Sequence, residues 1–193
     1  AMMITSTGLA RTGTFDAVGP LARSRGRSTP SGTGIRSPDA WTVPGRGRRR
    51  RPAAVAGDDG STEAHVAPLL AGYARLDPRI RVAAMPENSG IAAATNRAAE
   101  LAEGEWLAFL DHDDELSEDA LFWVVAALNR QPDAGIVYSD EDKIDSQGLR
   151  TKPYFKCDWD PWLFCGHNLI THLGVYRRAL LTAIGGFRTG YEG

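Results

Sequence analysis

The chain has 193 residues, 42 % of them hydrophobic, a composition that suits one globular domain with an appended segment. Its net charge of −2 hides an asymmetry, because residues 1–51 contain ten arginines against two aspartates whereas residues 52–193 are acidic. The sequence excludes a helical membrane span, since no stretch approaches the roughly 18 to 20 apolar residues required. It also lacks the apolar core of an export signal, so we expect a cytoplasmic protein.

The first segment, residues 1–51, is dense in Gly, Pro, Ser and Arg and shows neither helical nor strand periodicity. This composition predicts a disordered segment that precedes a globular domain at residues 52–193. Its RGRRRR run could attract nucleic acid or anionic lipid by charge alone. Because no aromatic residue interleaves with these arginines to stack on bases, a solvated tail is the favoured interpretation.

From residue 52 onward, short apolar runs alternate with helical patterns. The predicted strands are PAAVA (52–56), RIRVAA (79–84), WLAFL (106–110) and GIVYSDE (135–141). The predicted helices are HVAPLLAGYARL (65–76), IAAATNRAAELA (91–102) and SEDALFWVVAALNRQ (117–131). Ser61 or Thr62 is placed to cap the first helix, and Ser117 the third.

This alternation of strands and helices predicts an α/β fold with a parallel sheet. Ligands of such sheets bind beyond the carboxyl ends of the strands. The acidic loops DDGST, DHDDE and SDEDK follow the first, third and fourth predicted strands. We therefore expect all three loops at one edge of the sheet, where they form a site.

The spacing of the aspartates in DHDDE points to a divalent cation. In extended chain, residues two apart face the same side, so Asp111 and Asp113 point together. Two hard oxygen ligands suit Mg²⁺ or Mn²⁺, which keep positions open for water and phosphate oxygens. The alternative is that acidic residues before the third helix merely interact with its dipole.

Three stretches together resemble a known family: ENSGIAAATNRAAELAEGEWLAFLDHDDEL, IVYSDEDKID and HLGVYRRALLTAIGGFRTGYEG. Over residues 55–193 they resemble the inverting family-2 glycosyltransferases of bacteria, and most closely the branch that builds cell-surface polysaccharides. The resemblance implies a GT-A fold, a Rossmann-like nucleotide-binding sheet joined to an acceptor-binding half. It also implies a nucleotide-diphosphate sugar donor, a saccharide or lipid-linked acceptor, and Mg²⁺ or Mn²⁺. With a lipid-linked acceptor, we expect the cytoplasmic protein to make peripheral contact with the inner membrane face.

The resemblance also assigns site residues position by position. The residues expected around the nucleotide are Asp58, Asp59, Asn88, Gly90, Asn96 and Asp111, with no specific role given to Asn96. The expected metal ligands are Asp111 and Asp113. The residues expected near the sugar or acceptor are Asp140, Glu141, Asp142 and His172.

Two departures from the family pattern lead us to expect an incomplete GT-A domain. Nothing in residues 1–50 reads as the apolar strand with which the family opens, since MMITSTGLARTG is short and polar. The family also continues past GYEG into a motif that holds the general base, whereas this sequence ends at Gly193. We therefore expect a fragment of a mis-started or frame-shifted reading frame, with Glu192 or an acid of SDEDK as the substitute base.

Other functions remain as alternatives. The chain could be a catalytically inactive fragment that binds a nucleotide and a metal, or a nucleic-acid-binding protein that acts through its basic segment. A metal-dependent phosphatase also uses aspartates after a strand, but a threonine or valine typically follows its nucleophile, and DHDDE does not fit that pattern.

Overall fold

The computed structural model describes residues 2–6, by their backbone alone, and residues 53–191. The strands are β1 Met2–Ser6, β2 Ala53–Asp58, β3 Ile80–Ala84, β4 Trp106–Leu110, β5 Ile136–Tyr138, β6 Glu141–Ile144, β7 Arg150–Tyr154 and β8 Gly174–Arg177. The helices are α1 Val66–Leu76, α2 Ile91–Leu101, α3 Ala120–Arg130, α4 Pro161–Gly166 and α5 Arg178–Ala183. No helix in the described part of the chain is long and apolar enough to cross a membrane.

The main sheet has six strands in the order β3-β2-β1-β4-β8-β5. β2 and β3 pair in parallel, and β2 and β4 share a direction because β1 is antiparallel to both. β5 shares the direction of β4 because β8 lies antiparallel between them. The four strands expected to be parallel therefore do run the same way. The α/β prediction is confirmed, in a mixed sheet that includes two reversed strands.

β1 corrects two expectations about residues 1–51. Met2–Ser6 is a strand between β2 and β4, so residues 2–6 do not belong to a disordered segment, and a strand is present before residue 50. The backbone edges of β2 and β4 require hydrogen-bond partners, and a short segment supplies them whatever its polarity. The rest of the predicted disordered segment, with its RGRRRR run, lies outside the described residues.

The first and third helices begin later in the chain than expected from the predicted capping residues, which were Ser61 or Thr62 and Ser117. His65 occupies the N-cap position of α1 and Asp119 that of α3, and neither side chain makes a capping hydrogen bond. The backbone N–H of Ser61 instead donates to Asp58, so the chain turns before any helix can start. The carboxylate of Asp119 accepts a hydrogen bond from the Trp123 indole at 2.8 Å.

The predicted fourth strand, 135–141, is also wrong in its length. β5 ends at Tyr138, and the chain then enters an antiparallel hairpin of β6 and β7. Asp142 of β6 and Arg150 of β7 form an ion pair at 2.7 Å. Polar residues outnumber apolar ones in β6 and β7, so period-2 patterning does not reveal them.

The core lies on both faces of the sheet, with β4 at its centre. Trp106 and Ala108 pack on one face with Val175 and Leu128, whereas Leu107 belongs to the cluster on the other face. Such two-sided burial is the reason that this strand reads as a continuous apolar run. It also fixes the position of the acidic loop that follows directly.

Candidate functional site

The strand register brings the ends of β2 and β4 to one edge of the sheet. Ala56 and Leu110 both pair with Met2 of β1, from opposite sides. They are separated by two strand spacings, roughly 10 Å. Asp58 lies two residues beyond the first and Asp111 one residue beyond the second, so their carboxylates leave the sheet at the same edge.

The end of β5 reaches that edge as well. Phe109 and Tyr138 both pair with Gly174 of β8. Asp140 follows Tyr138 by two residues, as Asp111 follows Phe109. The structure thus brings all three predicted acidic loops to the same edge.

The densest group at this edge consists of Asp111, Asp114 and His172, whose ligand atoms all lie within 4.8 Å of one another. Asp114 Oδ2 is buried and accepts no hydrogen bond, and it lies 3.1 Å from His172 Nδ1. A buried carboxylate oxygen without a hydrogen bond is costly unless a cation satisfies it. His172 is at ion-pair distance from this oxygen, and a cation held by Asp111, Asp114 and His172 would satisfy it as well.

The local backbone explains why Asp114 joins this group. Residues 112–113 form a turn, in which the Asp114 N–H donates to the Asp111 carbonyl at 3.3 Å. The extended conformation assumed for Asp111 and Asp113 is therefore wrong, because a turn brings residues three apart together instead. The Asp113 side chain is 76 % exposed and lies 3.8 Å from His112. A role for Asp113 as metal ligand stays a prediction.

The donor set fits a divalent cation. Two carboxylates and one imidazole provide hard oxygen atoms and one nitrogen, a combination that suits Mn²⁺ better than Mg²⁺, which prefers oxygen alone. The side chains of Asp114 and His172 are 32 % and 45 % exposed, so the group opens towards solvent.

Asp58 lies at the end of β2 and is almost buried, with 9 % of its surface exposed. Its carboxylate accepts a hydrogen bond from the Ser61 N–H at 2.9 Å. Hydrogen bonding from Ser61 lowers the pKa of Asp58 and outweighs the opposite effect of burial. The side chain is therefore a fixed anion at neutral pH.

Asp59, its neighbour, holds two loops together. Its carboxylate oxygens accept hydrogen bonds from the N–H groups of Ser89 at 2.8 Å and Gly90 at 2.9 Å. These N–H groups belong to the N-cap residue of α2 and the residue before it, so Asp59 fixes the segment that enters the helix. Asn88 is exposed beside this contact. Asp59 thus positions the turn expected next to the nucleotide.

Asn96, to which the sequence assigned no role, links α2 to the segment after α5. Its Nδ2 donates to the Phe187 carbonyl and its Oδ1 accepts from the Phe187 N–H, both at 2.8 Å. Phe187 in turn packs edge-on against Phe109 of β4, with ring centroids 5.1 Å apart. Asn96 therefore positions backbone, and both ends of its amide are occupied.

The acids of SDEDK all have protein partners. Asp140 accepts from the Lys156 N–H at 2.8 Å, and Asp142 pairs with Arg150. Burial raises the pKa of Glu141, but hydrogen bonds from Thr171, Lys156 and the His172 N–H outweigh it and lower the pKa. A carboxylate held in this way is a weak base.

Sequence reasoning missed Asp114 and Lys156. The sequence does contain a signal for Asp114. Aspartate is favoured at the start of a tight turn, and a turn that starts at Asp111 in DHDD brings Asp114 close to it. No periodic signal identifies Lys156, which lies in an irregular segment and is 5 % exposed. Burial lowers the pKa of Lys156, an effect that the neighbouring Glu141 opposes.

An open cavity of about 490 Å³ lies elsewhere, against α4 and the β5–β8 pair. Its lining is partly aromatic and includes Phe164, His167, Ile170 and Tyr176. None of the predicted site residues lines it, so it is separate from the acidic edge.

Comparison with known proteins identifies the family of the chain. Residues 54–185 match the model of the family described as glycosyl transferase family 2. This match covers more than half of the sequence, and the chain belongs to that family. The fold is consistent with an incomplete GT-A domain.

Individual relatives are considerably longer. The chain is 47 % identical over 136 residues to the uncharacterized protein y4gI of Sinorhizobium fredii, covering 70 % of this chain and 15 % of that protein. It is 39 % identical over 136 residues to the O-antigen biosynthesis protein RfbC of Myxococcus xanthus, again 70 % of this chain, and 11 % of RfbC. A third match, 34 % over 91 residues, is to chondroitin synthase of Escherichia coli and covers 47 % of this chain and 13 % of that enzyme.

Proposed function

We propose that this chain binds a nucleotide-diphosphate sugar with a divalent cation at the acidic edge and transfers the sugar, with inversion, to a saccharide or lipid-linked acceptor. The observation that carries the proposal is the clustering of Asp111, Asp114 and His172, in which the buried Oδ2 of Asp114 makes no hydrogen bond and lies 3.1 Å from His172 Nδ1. Membership of glycosyl transferase family 2 supports the reaction class.

The proposed donor site extends from Asp58 to this group. Asp58 is a fixed anion that suits a hydrogen-bond donor such as a ribose hydroxyl or a base N–H. Gly90 has φ +89°, and its missing side chain permits close approach of a nucleotide to the start of α2. Asp111, Asp114 and His172 would hold Mn²⁺ or Mg²⁺, which when bound would neutralise diphosphate charge as the sugar leaves.

Inversion requires a carboxylate that takes the proton from the acceptor hydroxyl. Asp140, Glu141 and Asp142 are occupied by protein donors, so we assign them positioning roles rather than the role of general base. Glu192, the other candidate base, lies outside the described residues.

The acceptor class is proposed from the relatives' names. RfbC is described as an O-antigen biosynthesis protein, and another relative as a chondroitin synthase. Both names refer to polysaccharides, which supports a growing saccharide chain as acceptor. We propose that the reaction takes place on the cytoplasmic side, where a lipid-linked acceptor would bring the protein to the inner membrane face.

A donor-consumption assay tests this function. The purified chain is incubated with UDP-, dTDP- and GDP-sugars and Mn²⁺, with oligosaccharide acceptors, and release of the nucleoside diphosphate is measured. We expect one donor class to be consumed, EDTA to reduce the rate to background, and added Mn²⁺ to restore it. Consumption that is indifferent to EDTA would contradict the metal-dependent reaction. Binding of a donor without turnover would instead support an inactive nucleotide-binding fragment.

A further inference from the structure

The acidic edge contains a buried cation of the protein itself. The Lys156 side chain is 1 % exposed, and its ammonium lies 3.0 Å from Glu141 Oε2. It also donates to the carbonyls of Ile170 at 2.6 Å and His172 at 2.7 Å. An ammonium has three donors, so all of them are used. A buried charge satisfied so completely holds its partners in fixed positions.

Two of the partners of Lys156 are carbonyls of the backbone around His172, and the third, Glu141, binds the same backbone segment. Glu141 Oε2 accepts from the His172 N–H at 3.1 Å and from the Thr171 hydroxyl at 2.6 Å. The N–H of His172 is therefore held by Glu141 and its carbonyl by Lys156. With both backbone groups fixed, the ring nitrogen of His172 lies 3.1 Å from Asp114.

The same network is tied to the β6–β7 hairpin. The N–H of Lys156 donates to Asp140, which precedes β6, while Lys156 itself follows β7. Lys156 forms no hydrogen bond or ion pair with Asp111 or Asp114 and reaches the cluster through the backbone of His172. Its contacts are thus those of a residue that positions a ligand rather than a ligand.

We propose that Lys156, paired with Glu141, is the positioning residue that holds His172 against Asp111 and Asp114 for cation binding. This inference rests on the proposed function in so far as that group binds a cation. Partners that orient a metal-binding histidine typically change metal affinity by about 10- to 100-fold when removed.

The test uses Mn²⁺ itself as the probe. Free Mn²⁺ is measured by electron paramagnetic resonance for the 193-residue chain, for Lys156→Met, and for both in a His172→Ala background. We expect Lys156→Met to weaken Mn²⁺ binding about 10- to 100-fold when His172 is present. In the His172→Ala background the same substitution should change affinity by less than about twofold, because the two residues act through one contact. Lys143→Met, which removes an exposed lysine of the same hairpin, is the matched charge control.

Hydrogen–deuterium exchange of the metal-free protein provides a readout independent of cation binding. Lys156→Met should accelerate exchange across residues 169–173 by about tenfold or more, since charged hydrogen bonds restrain these amides. Exchange in β2 and β3 should be unchanged. If Lys156→Met does not fold, Glu141→Gln replaces it, with the same expected directions in both measurements.

Equal weakening of Mn²⁺ binding in the two backgrounds would overturn the inference, as would unchanged exchange at residues 169–173. If the unmodified chain binds no Mn²⁺, the proposed cation site fails, and the exchange data alone then decide whether Lys156 positions His172.

Discussion

Asp114→Asn is expected to weaken Mn²⁺ binding on the order of 100-fold or more, because even the loss of an outer partner of a ligand costs about 10- to 100-fold. The substitution keeps the size of the side chain but removes the charge on an oxygen that is buried without a hydrogen bond. It also leaves His172 without its anionic neighbour at 3.1 Å. Calorimetric or electron paramagnetic resonance titration with Mn²⁺ measures the effect.

Two further variants make this result specific. Glu118→Gln removes a negative charge from an exposed position in the same acidic stretch and should leave Mn²⁺ affinity within about twofold, as expected for a solvated surface charge. Asp113→Asn distinguishes the predicted ligand pair, Asp111 and Asp113, from the group of Asp111, Asp114 and His172. A loss as large as that of Asp114→Asn would show that Asp113 also binds the cation, and a loss in Asp113→Asn alone would contradict the group with Asp114.

Gly60→Ala is expected to destabilise the fold by about 3 kcal/mol, through a left-handed backbone and a steric clash together. Gly60 has φ +68°, and an added Cβ would lie 2.7 Å from the carbonyl carbon of Glu87 and 2.8 Å from the backbone nitrogen of Asn88. Both of these atoms belong to backbone that Asp59 binds two residues later, so neither loop can move without breaking that contact. Urea unfolding measures the change in the free energy of unfolding.

Gly148→Ala is the matched control. Gly148 has φ +79° in the β6–β7 turn, and an added Cβ would meet no atom within 4 Å. Only the backbone term of about 1 kcal/mol should then apply. A difference of roughly 2 kcal/mol between the two variants is expected from the clash alone. Equal losses would mean that the loops after β2 and β3 do not pack as closely as the structure shows.

The common direction of β2, β3, β4 and β5 could be predicted because local pattern and packing agree there. WLAFL is apolar throughout since both faces of β4 are covered, and its acidic continuation must then leave at the sheet edge. By contrast, β1 is joined to the sheet by backbone pairing, which no side-chain pattern records. Helix starts were misplaced because Ser61 contributes to a turn rather than a cap.

The candidate site was predictable at the level of loops and not of individual ligands. Strand ends placed Asp58, Asp111 and Asp140 at one edge, as the structure confirms. The choice between Asp113 and Asp114 depends on whether two residues turn or extend, and both conformations are compatible with DHDD. Lys156 escapes sequence reasoning altogether, because its partners lie 14 to 16 residues away along the chain.

The central claim is that a cation at Asp111, Asp114 and His172 holds a nucleotide diphosphate against the edge marked by Asp58. Calorimetric titration of the chain with UDP, dTDP and GDP, each with and without Mn²⁺, tests it most directly. We expect one nucleotide to bind only when Mn²⁺ is present, and that binding to be lost in Asp114→Asn. Tight binding of a nucleotide that is unchanged by Mn²⁺ removal, or no binding by the folded chain, would contradict it.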